Sequence, residues 1–149
     1  MKISKKTDYA LRILLELSIN YEKCKTDNCV RMKDISKKHS IPYKFLQQIV
    51  LTLKKLGYVK TIQGVKGGIC LNKPPKEIIL GDVIAKLEGT IMPISCLDKS
   101  FVKCSEENCV FKVIWQELYS VVDKIVNNIN FEELANKYKS QSKQVVYYI

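Results

Sequence analysis

Three of the six cysteines, Cys96, Cys104 and Cys109, fall within the fourteen residues CLDKSFVKCSEENC. Thiolates are soft ligands that suit iron–sulfur clusters and zinc. A structural zinc site usually has cysteine pairs separated by about two to four residues and four protein ligands. The triplet has seven residues between its first two cysteines and four between the last two, so it offers at most one such pair, and the only histidine of the chain, His39, is remote in sequence. By itself the triplet suits a soft metal or an iron–sulfur cluster, while zinc binding, direct thiol oxidation and unreactive thiols remain alternatives.

Positive charge is concentrated in the first half of the chain. Residues 1–72 contain 15 Lys or Arg and 5 Asp or Glu, whereas residues 73–149 contain ten of each kind. A basic unit joined to a neutral one is typical of a nucleic-acid-binding module with a separate assembly or sensing unit. A generally lysine-rich composition, with lysines that are only solvated, would have raised the positive charge of both halves. Nucleic acid is therefore the expected partner.

Several other classes of protein are disfavoured. No apolar run approaches the roughly 18 residues of a membrane span, so no membrane partner is expected. The N-terminal segment is interrupted by Arg12 and Glu16 and has no small-residue cleavage site, which predicts a cytoplasmic protein. No nucleophile–base pair is evident, and GVKGG lacks the length and ending of a phosphate-binding P-loop. We do not expect an enzyme.

Helical periodicity predicts a helix-turn-helix before residue 57. A first helix is expected from about residue 4 or 7 to residue 19, a short one in MKDISKKHS, and a longer one in IPYKFLQQIVLTLKKLG. Ser40 is predicted to cap the longer helix, and Gly57 to end it. Its apolar positions follow the i, i+3, i+4, i+7 rule and predict a buried stripe of Leu46, Ile49, Val50 and Leu53.

A β-hairpin should follow as the wing of a winged helix. Residues 58–62 and 69–71 are β-prone and flank the glycine-rich QGVKGG. Cys70, in the second strand, is expected to be a small buried residue. Cys24 and Cys29 lie in a polar loop before the helix-turn-helix and are expected to be exposed thiols, with a local disulfide or a second metal site as alternatives. A further short helix is predicted over about residues 80–87, ending at Gly89.

The longest helical pattern runs from about residue 106 to residue 129, roughly 35 Å. Its apolar face is too broad for a short fold to cover, which predicts a dimer helix, although an intramolecular core helix is an alternative. A last helix covers FEELANKYKSQ. The predicted fold is mainly α: a winged helix-turn-helix domain over residues 1–89, a cysteine-rich loop over 90–109, and dimerisation and C-terminal helices over 110–149.

The outward face of the second helix of a helix-turn-helix enters the major groove of DNA. Gln48 and Gln47 can pair with adenine, and lysines neutralise phosphates. For each residue the alternative is a solvated helix face, and for Lys54 and Lys55 the two possibilities are nearly balanced. The expected contacts are Tyr43, Lys44, Gln47, Gln48, Lys54 and Lys55 on the helix, and Lys60, Thr61, Gln63 and Lys66 in the wing.

Three segments, TDYALRILLEL, ISKKHSIPYKFLQQIVLTLKKLGYVKTIQGVKGGICL and PPKEIILGDVIAKLEG, are similar to the winged-helix regulators of the Rrf2 family. That family includes the iron–sulfur regulator IscR and the nitric-oxide sensor NsrR. The resemblance covers nearly the whole chain and implies a homodimer that binds palindromic operator DNA, held together by the long C-terminal helix. Phe45, Gln47, Gln48 and Lys54 match family positions on the recognition helix. Gln63 matches a wing position at which many members have arginine.

The resemblance also implies that the cysteine triplet is the cluster-binding loop. In the IscR branch a histidine three residues after the third cysteine completes a 2Fe–2S site, but Lys112 stands there in this chain. In the NsrR branch an N-terminal acid from the partner subunit completes a 4Fe–4S site, and Asp8 occupies the matching position. Alternatively, Asp8 only stabilises a helix N-terminus.

We therefore expect a transcriptional regulator, repressor or activator, whose operator binding is controlled by an iron–sulfur cluster that senses redox state, nitric oxide or iron–sulfur status. A 4Fe–4S cluster is favoured over a 2Fe–2S cluster. The alternative is a cluster-free family member that is controlled by a partner protein or by thiol oxidation.

Overall fold

The computed structural model describes residues 3–24, 29–64, 67–89 and 109–145. Within these ranges the chain is mostly helical, with one two-stranded antiparallel hairpin, which confirms the predicted winged-helix fold class. The elements in chain order are α1 (Lys5–Ile19), α2 (Tyr21–Cys24), α3 (Met32–His39), α4 (Tyr43–Lys55), β1 (Val59–Ile62), β2 (Gly68–Leu71), a 3-10 turn (Pro75–Glu77), α5 (Leu80–Glu88), α6 (Val110–Asn127) and α7 (Phe131–Val145).

Helix α1 is the centre of the core. Its N-terminus is capped by Ser4, whose side-chain oxygen accepts a hydrogen bond from the Thr7 amide at 3.2 Å. Ile13, Leu14 and Leu17 are fully buried on its inner face. The predicted stripe of α4 is confirmed, because Leu46, Ile49, Val50 and Leu53 are all buried in the same core. The helix-turn-helix is thereby fastened to α1 by apolar packing.

The turn between α3 and α4 corrects one prediction. Ser40 has φ 52° in the left-handed region and ends α3, while Pro42 occupies the N-cap position of α4. Serine at position 40 is therefore a turn residue, and the prediction that it caps α4 was wrong. The Ser36 hydroxyl closes the turn by donating to the Ile41 carbonyl at 2.7 Å, while the Ile41 amide donates to the Ser36 carbonyl at 3.0 Å.

The wing consists of β1 and β2, paired antiparallel from Val59 opposite Leu71 to Ile62 opposite Gly68. The other edge of β2 is also paired, because Val30 and Ile69 exchange backbone hydrogen bonds of 2.8 and 3.1 Å. The segment before α3 was predicted to be a polar loop. Where the structure describes it, it instead contains the short helix α2 and this bridge to the wing.

Helix α6 begins at Val110, later than predicted, and residues 106–108 lie outside the described ranges. It lies against α5 at Gly81, where an added Cβ would overlap the side-chain amide of Asn127 and approach Val126 to 3.1 Å. The segment after α6 pairs with the segment before α5, since Ile79 and Asn130 form an antiparallel bridge.

The C-terminal helix α7 returns to the N-terminal half of the chain. Phe131 and Ala135 are buried, and Phe131 is part of the same core as α1. Its amide donates to the Ile78 carbonyl at 3.0 Å. Among the described helices, none combines the length and the apolar character needed to cross a membrane. Helix α6 is therefore attached to the winged helix through both of its neighbours, α5 and α7.

Candidate nucleic-acid interface and cysteine sites

One face of α4 is exposed to solvent. Tyr43, Lys44, Gln47 and Gln48 are exposed there, opposite the buried stripe. Lys54 and Lys55 continue the same exposed surface at the C-terminal end of the helix. The structure thus brings together on one surface the helix residues predicted from the sequence as DNA contacts, with the exception of Phe45.

Phe45 is partly buried. Its ring meets the ring of Tyr9 edge-on, with centroids 5.8 Å apart and planes at 75°. Such edge-to-face pairs stabilise packing by about 0.5–1.5 kcal/mol beyond area burial. The position of Phe45 suits a residue that fixes the first turn of α4 against α1.

Leu51 was missed by the sequence reasoning. It lies in the middle of the exposed face, and 58% of it is accessible to solvent. The signal was present, because Leu51 falls outside the i, i+3, i+4, i+7 stripe that predicts the buried side. An apolar side chain at this place can contact the methyl group of thymine.

The wing adds exposed polar groups beside α4. Lys60, Thr61 and Gln63 are exposed, whereas Lys66 lies outside the described residues. The Lys54 ammonium donates to the Thr61 hydroxyl at 3.2 Å and so joins the end of α4 to the wing.

A groove of about 420 Å³ separates the wing from the helix-turn-helix. It is lined by Arg31, Met32, Lys33, Tyr43, Thr61, Ile62, Gln63, Gly67 and Gly68. Arg31 and Lys33, at the start of α3, were not predicted as contacts, although their basic type within the basic half was visible in the sequence. Two cationic side chains on one wall suit a phosphate group of a nucleic-acid backbone.

A buried carboxylate positions the C-terminus of α3. Glu16 is 7% exposed, and its Oε2 lies 2.7 Å from the Lys38 ammonium and 3.3 Å from the His39 ring. Burial by itself would lower the pKa of Lys38, but the hydrogen bond and charge of Glu16, together with Tyr138, raise it overall. The carboxylate thus holds the first helix of the helix-turn-helix against α1.

Only part of the predicted cluster site is described. Cys109 is the N-cap residue of α6 and a free, partly buried thiol, while Cys96 and Cys104 lie outside the described ranges. Asp8 is in the first turn of α1, where it pairs with Arg12 at 3.1 Å and keeps about half of its side chain exposed.

No group of three or more metal-binding side chains is found within residues 3–24, 29–64, 67–89 and 109–145. Two of the proposed ligands lie in the described residues, the free thiol of Cys109 and the partly exposed carboxylate of Asp8. Both are of a chemical type that can bind an iron–sulfur cluster.

A second cysteine site was not predicted. Cys29 and Cys70 are joined by a disulfide, with Cα atoms 5.5 Å apart. Cys70 is buried as expected, at 2% exposure. The prediction that Cys29 is an exposed loop thiol was wrong, because the Val30–Ile69 bridge draws this segment onto the wing.

Comparisons with known proteins agree with this architecture. The Rrf2 family model, described as an iron-dependent transcriptional regulator, matches residues 3–137. The HTH-type transcriptional regulator CymR of Bacillus subtilis is 30% identical over 149 residues, which is 100% of each chain. The HTH-type transcriptional regulator NsrR of Geobacillus kaustophilus is 42% identical over 96 residues, covering 64% of this chain and 63% of the relative.

Among solved structures, CymR (YrzC), described as the global cysteine regulator of B. subtilis, superposes with a TM-score of 0.78. The match has 30% sequence identity and covers 92% of this chain and 98% of that one. The fold, the exposed face of α4 and the family match over most of the chain lead to one assignment. The chain belongs to the Rrf2 family of DNA-binding transcriptional regulators.

Proposed function

We propose that this protein is a cytoplasmic homodimer that binds palindromic double-stranded operator DNA, with an affinity set by an iron–sulfur cluster. The observation that carries the proposal is the position of Cys109. This thiol begins α6, the helix whose apolar face is left uncovered, and α6 is fastened to the DNA-binding half through α5 and α7. One helix thus links a ligand, an assembly surface and the recognition helix.

The DNA contacts are assigned to the exposed face of α4 and to the wing. Gln47 and Gln48 read base edges, and Leu51 meets thymine methyl groups. Phe45 positions α4 by packing against Tyr9 of α1. The phosphate and groove contacts are assigned to Tyr43, Lys44, Lys54, Lys60, Gln63 and Lys66.

The dimer is assigned to α6. None of its described residues is buried, and seven apolar side chains are 47–69% exposed, which is unusual for an apolar helix in water. These side chains are Val110, Phe111, Val113, Ile114, Leu118, Val121 and Ile125. A second copy of the same helix would cover them in a symmetric contact.

The cluster ligands are assigned to Cys96, Cys104 and Cys109, with Asp8 of the partner subunit as the fourth. A bound cluster would supply reversible electron transfer or reaction with nitric oxide or oxygen. Lys112 stands where a histidine would be needed for a 2Fe–2S site, which favours a 4Fe–4S cluster. The protein's own contribution is to hold the loop at the N-terminus of α6 and to present Asp8 from α1, beside Arg12.

The test is anaerobic purification followed by iron and sulfide analysis, absorption spectroscopy and DNA-binding measurements. Cys109→Ser should lose iron and the cluster absorption, and its DNA affinity should no longer respond to reconstitution. Cys24→Ser is the matched control and should keep both. A colourless protein without iron, whose DNA affinity is the same before and after reconstitution, would refute the cluster.

A second candidate is a cluster-free regulator controlled by thiol oxidation or by a partner protein. It is supported by the full-length similarity to CymR and by the Cys29–Cys70 disulfide. Serine replacement of Cys96, Cys104 and Cys109 separates the two candidates, because only the cluster model predicts that this replacement abolishes a response of DNA affinity to iron–sulfur reconstitution.

A further inference from the structure

We propose that Cys29 and Cys70 form a reversible disulfide, a redox modification site that fastens the segment before α3 to the wing and increases DNA affinity when oxidised. This inference uses the DNA binding of the proposed function as its output. It does not depend on the iron–sulfur cluster, since none of the proposed cluster ligands takes part.

The backbone places the two cysteines together. Their Cα separation of 5.5 Å lies in the middle of the range for disulfides, about 4.4–6.8 Å. Residues next to them, Val30 and Ile69, are joined by two backbone hydrogen bonds that do not involve sulfur. Because these hydrogen bonds are made by the backbone, they do not require the disulfide. We therefore expect the two thiols to stay adjacent after reduction, so that the bond can form again.

The two sulfurs differ in accessibility, which fixes the order of the chemistry. Cys29 is partly exposed, whereas Cys70 is 2% exposed. With hydrogen peroxide as oxidant, the Cys29 thiolate attacks one oxygen to give a sulfenic acid, and hydroxide leaves. The Cys70 thiolate then attacks the sulfur of the Cys29 sulfenic acid, and the oxygen of that group leaves as a second hydroxide. Overall, two thiols and one peroxide give one disulfide and two waters.

The reverse reaction needs a dithiol reductant. One of its thiolates attacks the disulfide to form a mixed disulfide, and its second thiol resolves that intermediate. The reductant leaves oxidised, and both cysteines regain their protons. In a reducing compartment such bonds are usually transient and redox-sensing rather than structural.

The disulfide lies directly behind the groove of the nucleic-acid interface. Gly68 lines this groove, and a Cβ added there would meet the Val30 carbonyl oxygen at 2.5 Å and the Cys29 Cβ at 3.1 Å. Arg31 and Lys33, on the opposite wall, follow Cys29 within four residues. The disulfide therefore connects the two walls covalently and limits their relative movement.

A groove whose walls are already held in place loses less conformational entropy when the protein binds DNA. Immobilising one or two side chains in advance corresponds to about a threefold to tenfold lower dissociation constant. The oxidised protein is therefore the tighter binder, and reduction releases the wing.

The experiment uses the full chain, reduced with dithiothreitol or oxidised with hydrogen peroxide. Remaining thiols are blocked with N-ethylmaleimide, and peptides are mapped without reduction. In parallel, fluorescence anisotropy measures affinity for a duplex that the protein itself has enriched from a random-sequence library. The expected results are a Cys29–Cys70 linked peptide only after oxidation and an affinity about threefold to tenfold higher.

The variants are Cys29→Ser and Cys70→Ala, with Cys24→Ser as the matched control and circular dichroism as the folding check. Both site variants should lose the linked peptide and the affinity change, while Cys24→Ser keeps them. Cys109→Ser, which should lose the proposed cluster, should still form the linked peptide on oxidation, and this separates the site from cluster oxidation. Absence of the linked peptide, a bond that dithiothreitol cannot reduce, or equal affinities in both states would overturn the inference. Failure to bind any duplex in either state would refute the proposed function, whereas the linked peptide would still report on the thiol pair.

Discussion

Replacing Leu118 with glutamate should convert the proposed dimer to monomers. Leu118 lies in the middle of the uncovered face of α6 and is 47% exposed. In a symmetric α6 contact each copy buries the remaining exposed part against its partner. In the variant, each dimer would bury two glutamates, one from each copy, and no positively charged side chain is proposed to pair with them.

The magnitude follows from the exposure. Full burial of a leucine side chain contributes about 1.5–3 kcal/mol, so covering the exposed half contributes about 1 kcal/mol per copy. Truncation to alanine therefore costs about 2 kcal/mol per dimer, or roughly a 30-fold higher dissociation constant. Glutamate adds the desolvation of two charges, about several kcal/mol each, and should leave no dimer at micromolar concentration.

Sedimentation equilibrium over a range of concentrations measures the dissociation constant directly. Gln116→Glu is the matched control, because it makes the same charge change at an exposed position on the opposite side of α6. Circular dichroism should show the same helix content in both variants. A Leu118→Glu protein that remains a dimer, or a Gln116→Glu protein that dissociates equally, would show that the apolar face of α6 is not the interface.

Three further predictions concern the interface and its supports. Gln48→Ala should cost about 1–3 kcal/mol on the preferred duplex and relax the choice of one base, with little change in salt dependence. Glu16→Gln should lower the free energy of unfolding by about 1–3 kcal/mol in urea titrations. Since the pKa of Lys38 is raised, the stability that this lysine contributes is fully present below its unfolded pKa, 10.5, and is lost as pH rises through the higher folded value. Ser4→Ala should cost about 1 kcal/mol of unfolding free energy, because Ser4 caps α1. The hydrogen bonds of Ser4 and Thr7 lower the pKa of Glu88, so the small stability that Glu88 itself contributes is present above pH 4.5 and is lost as pH falls through the lower folded value.

Each of these has a distinguishing outcome. An equal loss of affinity for every duplex would assign Gln48 to phosphate contact rather than base reading. For Glu16→Gln the control is Glu77→Gln, an exposed carboxylate whose loss should leave the unfolding free energy within about 0.5 kcal/mol. A Ser4→Ala protein with unchanged stability at pH 7 would mean that the cap is replaced by water.

Features that depend on periodicity were predictable from the sequence, and features that depend on tertiary approach were not. The stripe of Leu46 and Leu53 and the hairpin follow from local spacing, and both are confirmed. Ser40 was misassigned because serine suits both a helix cap and a turn, and only the position of the following helix start decides between them. The Cys29–Cys70 disulfide joins residues 41 positions apart, so it required knowledge that the loop pairs with β2.

The close approach of α5 and α6 at Gly81 bears on the geometry of the operator. With no Cβ at this position, Asn127 and Val126 come nearer to α5 than any other residue type would permit. If α6 joins the two subunits as proposed, this contact fixes how far apart the two recognition helices are held. One base pair inserted between the half-sites shifts one of them by about 3.4 Å and turns it by about 35°. Close packing at Gly81 would prevent α5 and α6 from shifting enough to match that change. The number of base pairs between the half-sites would then limit DNA binding as strongly as the half-site sequence does.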